Sequence, residues 1–308
     1  MADPNTCTNR TKVDKIIKGE PDNFYDELYE ILETDCNTFD ISSFKTFYIV
    51  RRLPLYSVDR GNGFKKALQI VENEINKNNK NMDRIFNTLV EEEVGHKKGE
   101  YGINKDGDRF LYDYYHEIMG KVTTSPHVVT NMSHIITAMN YGIDVTSYDL
   151  ILEFGGGYGG MAKVCNGMGY NNTYYIYDLP QLKKLQDYHL TEINVKHKII
   201  NELKELKDVM LDNTSSKKLF IATWSLSEVG NELREQIIEI IKDFDSVFII
   251  FQYNNPIKGQ DNYEYFYNSG SFQKMFNNIN TWQLKKMEFV PWDGGSYYLI
   301  GNNKEKNI

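Results

Sequence analysis

Across residues 1–145 apolar side chains recur at spacings of three and four, the period of a helix that buries one face. After Pro21-Asp22 the set Phe24, Leu28, Ile31 and Leu32 marks one such stripe, and Phe64, Leu68, Val71 and Ile75 mark a second. The pattern repeats at Ile85, Phe86, Leu89 and Val90. It returns at Phe110, Leu111, Tyr114, Tyr115, Ile118 and Met119, and again at Val128, Val129, Met132, Ile135, Ile136 and Met139. No strand pattern competes strongly, and no repeat of solenoid length is present. These stripes need a partner surface, so the helices are expected to cap the segment that follows.

From Tyr148 the pattern changes to short apolar runs alternating with helical stretches, the signature of βαβ units and a parallel sheet. Strands are expected at Leu150–Phe154, Tyr174–Tyr177, up to Ile199-Ile200, at Leu219–Thr223 and at Val247–Phe251. Helices are expected around Met161, Val164, Cys165 and Met168, around Leu182 and Leu185, around Leu203 and Leu206, and along Leu233, Ile237 and Ile241. A Phe-rich helix over Phe266–Phe276 follows. Leu284–Val290, Asp293-Gly294-Gly295 and Ser296–Gly301 then read as a terminal β-hairpin. The fold class is therefore α/β, a mostly parallel sheet with a C-terminal antiparallel hairpin, preceded by an α-helical N-terminal region. The domain division is 1–145 for the helical cap and 146–308 for the sheet domain.

Composition narrows the function classes. The 308 residues, 41% hydrophobic and 25% charged, are ordinary for a globular chain. No run reaches the roughly 20 apolar residues of a membrane span, and the start lacks the apolar core of a secretory signal. A cytoplasmic protein without a membrane partner is expected. Forty-three acids against 35 bases give a net charge of -8, which opposes non-specific attraction to phosphate, so no nucleic-acid partner is expected. His96-Lys97-Lys98 is a short basic cluster that reads as a solvated loop. Cys7, Cys36 and Cys165 form no CxxC pair, and no dense carboxylate cluster suggests a metal. The 22 tyrosines and 16 phenylalanines fit a ring-lined sugar site, or equally a genome-wide bias.

Glu153-Phe154-Gly155-Gly156-Gly157-Tyr158-Gly159-Gly160 lies where the first strand of the sheet must turn into its helix, the point at which doubly wound sheets bind ligands. Glycines there let a ligand approach the backbone, and the helix N-terminus offers free N–H groups to an anion. For S-adenosylmethionine that anion is the amino-acid carboxylate. Glu153 is placed to organise the loop and to face the ammonium group, and its negative charge would repel a pyrophosphate. Asp178 ends the next strand, where an acid accepts hydrogen bonds from both ribose hydroxyls. Gly155, Gly157 and Gly160 also satisfy GxGxxG, so an NAD(P)-dependent oxidoreductase is the competing class. Glu153, the extra Gly159 and the terminal hairpin speak against it.

Glu153-x-Gly155-x-Gly157-x-Gly159 resembles the first motif of Rossmann-like class I methyltransferases, over about Tyr148 to Gly301. ILEFGGGYGGMAKV, YYIYDLPQL, WSLSEV and SYYLIG resemble the sugar O-methyltransferase family, whose members join a helical N-terminal region to this fold. The resemblance implies S-adenosylmethionine as cofactor and a small-molecule sugar or nucleotide-sugar acceptor. Carried over, it implies Gly155, Gly157 and Gly159 along the methionine part, Asp178 at the ribose and Leu179 beside adenine. It puts Trp224 and Ser225 near the reacting methyl. Asn201 and Glu202 are in reach of adenine nitrogens, with helix capping an equal alternative for Asn201.

Methyl transfer to a hydroxyl gains from a general base. His127 and Glu228 are the leading candidates, each with a structural alternative, a surface or capping histidine and an acid at a helix N-terminus. His134 and Asp293 stand behind them, Asp293 being most economically a turn residue. A catalytically idle, methyltransferase-like binding subunit is a third reading. A homo-oligomer is compatible with all of them.

Overall fold

The computed structural model describes residues 58–77, 81–89, 112–116, 120–124, 126–213, 216–254, 261–288 and 295–303. The stripe at Phe24–Leu32, Val90, Phe110-Leu111, Ile118-Met119, His96–Lys98, Cys7, Cys36 and Asp293-Gly294 lie outside them.

In the N-terminal part, helices α1 (Val58–Asn76) and α2 (Met82–Leu89) bury the expected faces, Val71 and Ile75 on one and Ile85, Phe86 and Leu89 on the other. The next element corrects the helical reading of this stretch at residues 112–116. Strand β1 (Tyr112–His116) pairs antiparallel with β2 (Gly120–Thr124), Tyr112 opposite Thr124 and His116 opposite Gly120. Tyrosine and threonine favour a pleated surface, and two five-residue strands satisfy each other's backbone groups without a helix. Helix α3 (Pro126–Asn140) then buries Val128, Val129, Met132, Ile135 and Ile136 as expected.

The sheet elements are β3 (Leu150–Phe154), α4 (Gly160–Gly167), β4 (Tyr174–Tyr177), α5 (Pro180–Glu192), β5 (His197–Ile200), α6 (Leu203–Asp212) and β6 (Lys218–Thr223). They continue with α7 (Ser225–Glu228), α8 (Asn231–Ile241), β7 (Ser246–Gln252), a π-helical turn (Glu264–Asn268), α9 (Ser271–Lys274), β8 (Thr281–Lys286) and β9 (Ser296–Asn302). Gly270 at φ 65° separates the π turn from α9, so the expected Phe266–Phe276 helix is two short pieces. Strand β8 begins at Thr281 rather than Leu284.

The seven strands lie in the order β5-β4-β3-β6-β7-β9-β8. All neighbouring pairs are parallel except those made by β9, which runs antiparallel to β7 and β8. The α/β class, the parallel centre and the antiparallel end all match the hydrophobic pattern. Every residue of β3 and β7 is buried, which is why these strands read as continuous apolar runs rather than alternating ones. Ile151, Ile176, Ile221, Ile250 and Ile300 line one sheet face and share one core with α1 to α4; Leu152, Phe154, Phe220, Ile249 and Phe251 line the other, with α6 and α8.

The chain reverses its direction of winding between β3 and β6: β4 and β5 lie to one side, β6 and β7 to the other. The carboxyl ends of β3 and β6 therefore flank the crevice at which a doubly wound sheet takes its ligand.

Candidate active site

The glycine loop leaves β3 with its Gly155 N–H donating to the Tyr177 carbonyl at 2.8 Å, which ties it to the end of β4. Gly155 has φ 76°, and a Cβ there would lie 2.3 Å from Ser225 Cβ. No side chain fits at that contact, because the β3 and β6 corners touch. The Ser225 hydroxyl closes the same contact by donating to the Phe154 carbonyl. Gly157, at φ 58°, is the opposite case: a Cβ would meet no atom within 4 Å, so its outer side faces open space that a ligand can approach. Gly159, at φ 95°, caps α4.

Asp178 sits beside this loop. Its Oδ2 accepts from the Gly157 N–H at 3.1 Å and from Gln186 Nε2 at 2.7 Å, and its Oδ1 accepts from the Leu179 N–H at 2.8 Å. Gln186 Nε2 also donates to the Gly157 carbonyl at 2.8 Å. Burial pushes the Asp178 carboxyl up to about 6, against the pull of the Leu179, Gln186, Gly157 and Gly156 donors. Leu179, 44% exposed, presents an apolar side next to it. Asn201 donates its amide to the Asp178 carbonyl at 2.9 Å, so it secures the turn that carries Asp178; it does not cap α6, whose N-cap is Glu202.

Glu153 departs from its expected role. The side chain is 1% exposed, and a Cβ on Gly156 would lie 3.3 Å from its Oε2, so the carboxyl lies beneath the loop. Burial pushes it up to about 8, with the Asp178 charge adding and Tyr174 opposing. At neutral pH it is mostly protonated and does not supply the negative charge that would turn a pyrophosphate away. Burial likewise raises the neighbouring Tyr174 and Cys165.

On the β6 side, Trp224 has φ 64°, a conformation costing a non-glycine residue roughly 1–3 kcal/mol and persisting only where the surrounding structure over-determines it. It is held by its N–H donating to the Ile250 carbonyl at 2.8 Å and by Nε1 donating to Ser296 Oγ at 3.3 Å. Its ring meets the edge of His134 at 5.4 Å. Wholly buried Arg234 donates to the Leu226 and Ser227 carbonyls at 2.9 and 2.7 Å, fixing the α7 turn that carries Glu228.

The candidate bases separate. His127, on the first turn of α3, packs its ring on Tyr158 of the glycine loop at 4.9 Å between centroids. Glu228 is exposed and accepts from Nε2 of Gln252, the last residue of β7, at 3.2 Å. His134 is a core residue, 3.0 Å from the Tyr298 hydroxyl, and burial lowers it to about 3, so it stays neutral. Asp293 is outside the described residues. Among those residues, no group of three or more His, Cys, Asp or Glu is arranged to hold a metal ion, and no helix is long and apolar enough to cross a membrane.

Gly155, Gly157, Gly159, Asp178, Leu179, Asn201, Trp224 and Ser225 thus lie at the carboxyl ends of β3, β4, β5 and β6, and His127, from the N-terminal part, packs on Tyr158 of the glycine loop. Gln186 and Tyr158 were missed as working residues. Gln186 had a signal: it is a polar residue in the buried stripe of α5, with Leu182, Leu185 and Leu190.

No protein-family model matches the chain, and no curated protein matches it. Among solved structures it is similar to human N-acetylserotonin methyltransferase in complex with SAM, at 14% identity over 57% of this chain and 52% of that one, with a TM-score of 0.36. An O-methyltransferase family protein from Burkholderia thailandensis matches at 10% identity over 59% and 60%, with a TM-score of 0.35. The Methanococcus jannaschii fibrillarin pre-rRNA processing protein matches at 12% over 68% and 87%, with a TM-score of 0.42. The chain thus spans about half the length of the human enzyme, and none of these values distinguishes one acceptor from another.

Proposed function

We propose that this chain is an S-adenosylmethionine-dependent O-methyltransferase whose acceptor is the hydroxyl of a sugar or nucleotide sugar. The observation that carries the cofactor class is the pairing of an open-sided Gly157 with the Asp178 carboxylate at the switch point of the sheet. The residues fit the group. Gly155 to Gly159 give a backbone-lined cradle for an amino-acid tail, Asp178 gives an acceptor for the ribose edge, and exposed Leu179 gives an apolar wall for a base. The word sugar rests on the four motif strings alone.

Bound there, S-adenosylmethionine supplies an electrophilic methyl group. The chain's own task is to hold an acceptor oxygen in line with it and to keep water out. Trp224, fixed at a strained corner, forms a rigid wall for that purpose, while Ser225 spends its hydroxyl on Phe154 and so braces the corner. His127 is the preferred base, because its ring packs on Tyr158 of the glycine loop and an imidazole suits proton removal near neutral pH. Glu228 is the alternative, held by Gln252 further along the same edge.

Calorimetric titration with S-adenosylmethionine, S-adenosylhomocysteine and NADH tests the cofactor class. Both adenosyl ligands are expected to bind, NADH is not, and Asp178→Ala is expected to weaken adenosyl binding by about tenfold or more, the worth of a hydrogen bond to a charged group. Binding of NADH alone would move the assignment to a nicotinamide enzyme. Nucleotide sugars offered with S-adenosylmethionine then test the acceptor through release of S-adenosylhomocysteine; S-adenosylhomocysteine bound but never formed, with any acceptor, would favour an idle binding subunit.

A further inference from the structure

Gln186 is fully buried, and both partners of its Nε2, Gly157 O and Asp178 Oδ2, are acceptors. The amide must therefore point its nitrogen at them. Gly157 is held on both sides, its N–H by Asp178 and its carbonyl by Gln186. A carboxylate offers about four lone-pair positions. On Asp178, Oδ2 already receives two donors and Oδ1 receives one, with the Gly156 amide close by. No more than one position, on Oδ1, is left for a ligand.

We propose that Gln186 is a positioning residue for nucleoside recognition: by occupying Oδ2 of Asp178 and the Gly157 carbonyl together, it aims the carboxylate so that Oδ1 alone meets the ribose, through a single hydroxyl. This rests on the adenosyl reading above, and it replaces the two-hydroxyl contact that the strand-end acid suggested. Gln186 reaches this position because α5 begins straight after Leu179, with Pro180 at its first position, and brings its second turn back over the loop.

The test compares S-adenosylhomocysteine with its 2′-deoxy and 3′-deoxy analogues by calorimetry, on the full chain and on Gln186→Met, which keeps length and loses the donor. In the unsubstituted protein one analogue is expected to bind about tenfold or more weakly and the other within about threefold of the parent. In Gln186→Met the carboxylate is no longer held through Oδ2 and is free to turn toward the second hydroxyl, and the ratio between the two analogues is expected to fall below about threefold. A loss of stability alone would weaken all three ligands together and leave that ratio unmoved. Equal losses for both analogues in the unsubstituted protein overturn the proposal even if Gln186→Met does not fold. An unchanged ratio in a folded Gln186→Met does so as well. Absence of S-adenosylhomocysteine binding to the unsubstituted protein overturns the adenosyl reading itself, and this inference with it.

Discussion

At the residue scale, the buried acid beneath the glycine loop has a consequence that can be measured. Glu153 has a folded-state value of about 8 against 4.5 in the free group, so the folded protein binds more protons than the unfolded chain between those values. Stability therefore falls as pH rises from about 4.5 to 8 and levels off above that. Glu153→Gln removes this dependence and is expected to gain on the unsubstituted protein by about 2–4 kcal/mol at pH 9, with little difference at pH 4.5. Thermal unfolding of both proteins over this range checks it, and a gap that shrinks with rising pH would contradict a buried, mostly neutral carboxyl. The identity of Glu153 was legible, but its state was not. Its burial against Tyr174 and Cys165 comes from α4 and β4, which the motif does not contain.

At the scale of elements, the glycine loop separates packing from ligand approach. Gly155→Ala meets Ser225 at 2.3 Å as well as a left-handed backbone, whereas Gly157→Ala faces only the backbone cost, roughly 1–2 kcal/mol. The first is expected to lower thermal stability clearly more than the second. Gly157→Ala is instead expected to lose S-adenosylhomocysteine affinity by more than its stability loss accounts for, because the new methyl occupies the open side. Equal stability losses with unchanged affinity in Gly157→Ala would show that this side does not face the ligand. The parallel strands were readable because each is a short apolar run between helical stretches. The β1–β2 hairpin was not, since a list of apolar positions from Phe110 to Met119 runs across a strand and the residues following it, and pairing of Tyr112 with Thr124 is a relation between segments that no local period expresses.

At the scale of the molecule, the helices α1 to α3 share one core with the sheet. Val129, Met132, Ile135 and Ile136 of α3 are buried in the same cluster as Ile151, Met161 and Val164, so a cut at residue 145 passes through a continuous apolar interior. A fragment of residues 146–308 would expose that face, and losing a single large buried side chain already costs about 2–5 kcal/mol. The fragment is expected to aggregate or to lack a cooperative unfolding transition by circular dichroism; a sharp transition near that of the full chain would show that the sheet domain stands alone.

The period of the apolar residues determined the α/β class, the order of the strands along the chain and the antiparallel end, because burial imposes those periods on each element separately. The glycine string and Asp178 likewise lie together where the strand–helix–strand order put them, at the carboxyl ends of β3 and β4, because adjacent parallel strands bring the turn after one beside the end of the next. Tertiary structure alone decided that Glu153 lies under the loop, that His134 is core, that His127 reaches Tyr158 and that Gln186 shares Oδ2 of Asp178 with the Gly157 amide. Each of these depends on side chains from separate elements meeting, and such meetings are set by how helices pack on the sheet rather than by any residue's own neighbours in sequence.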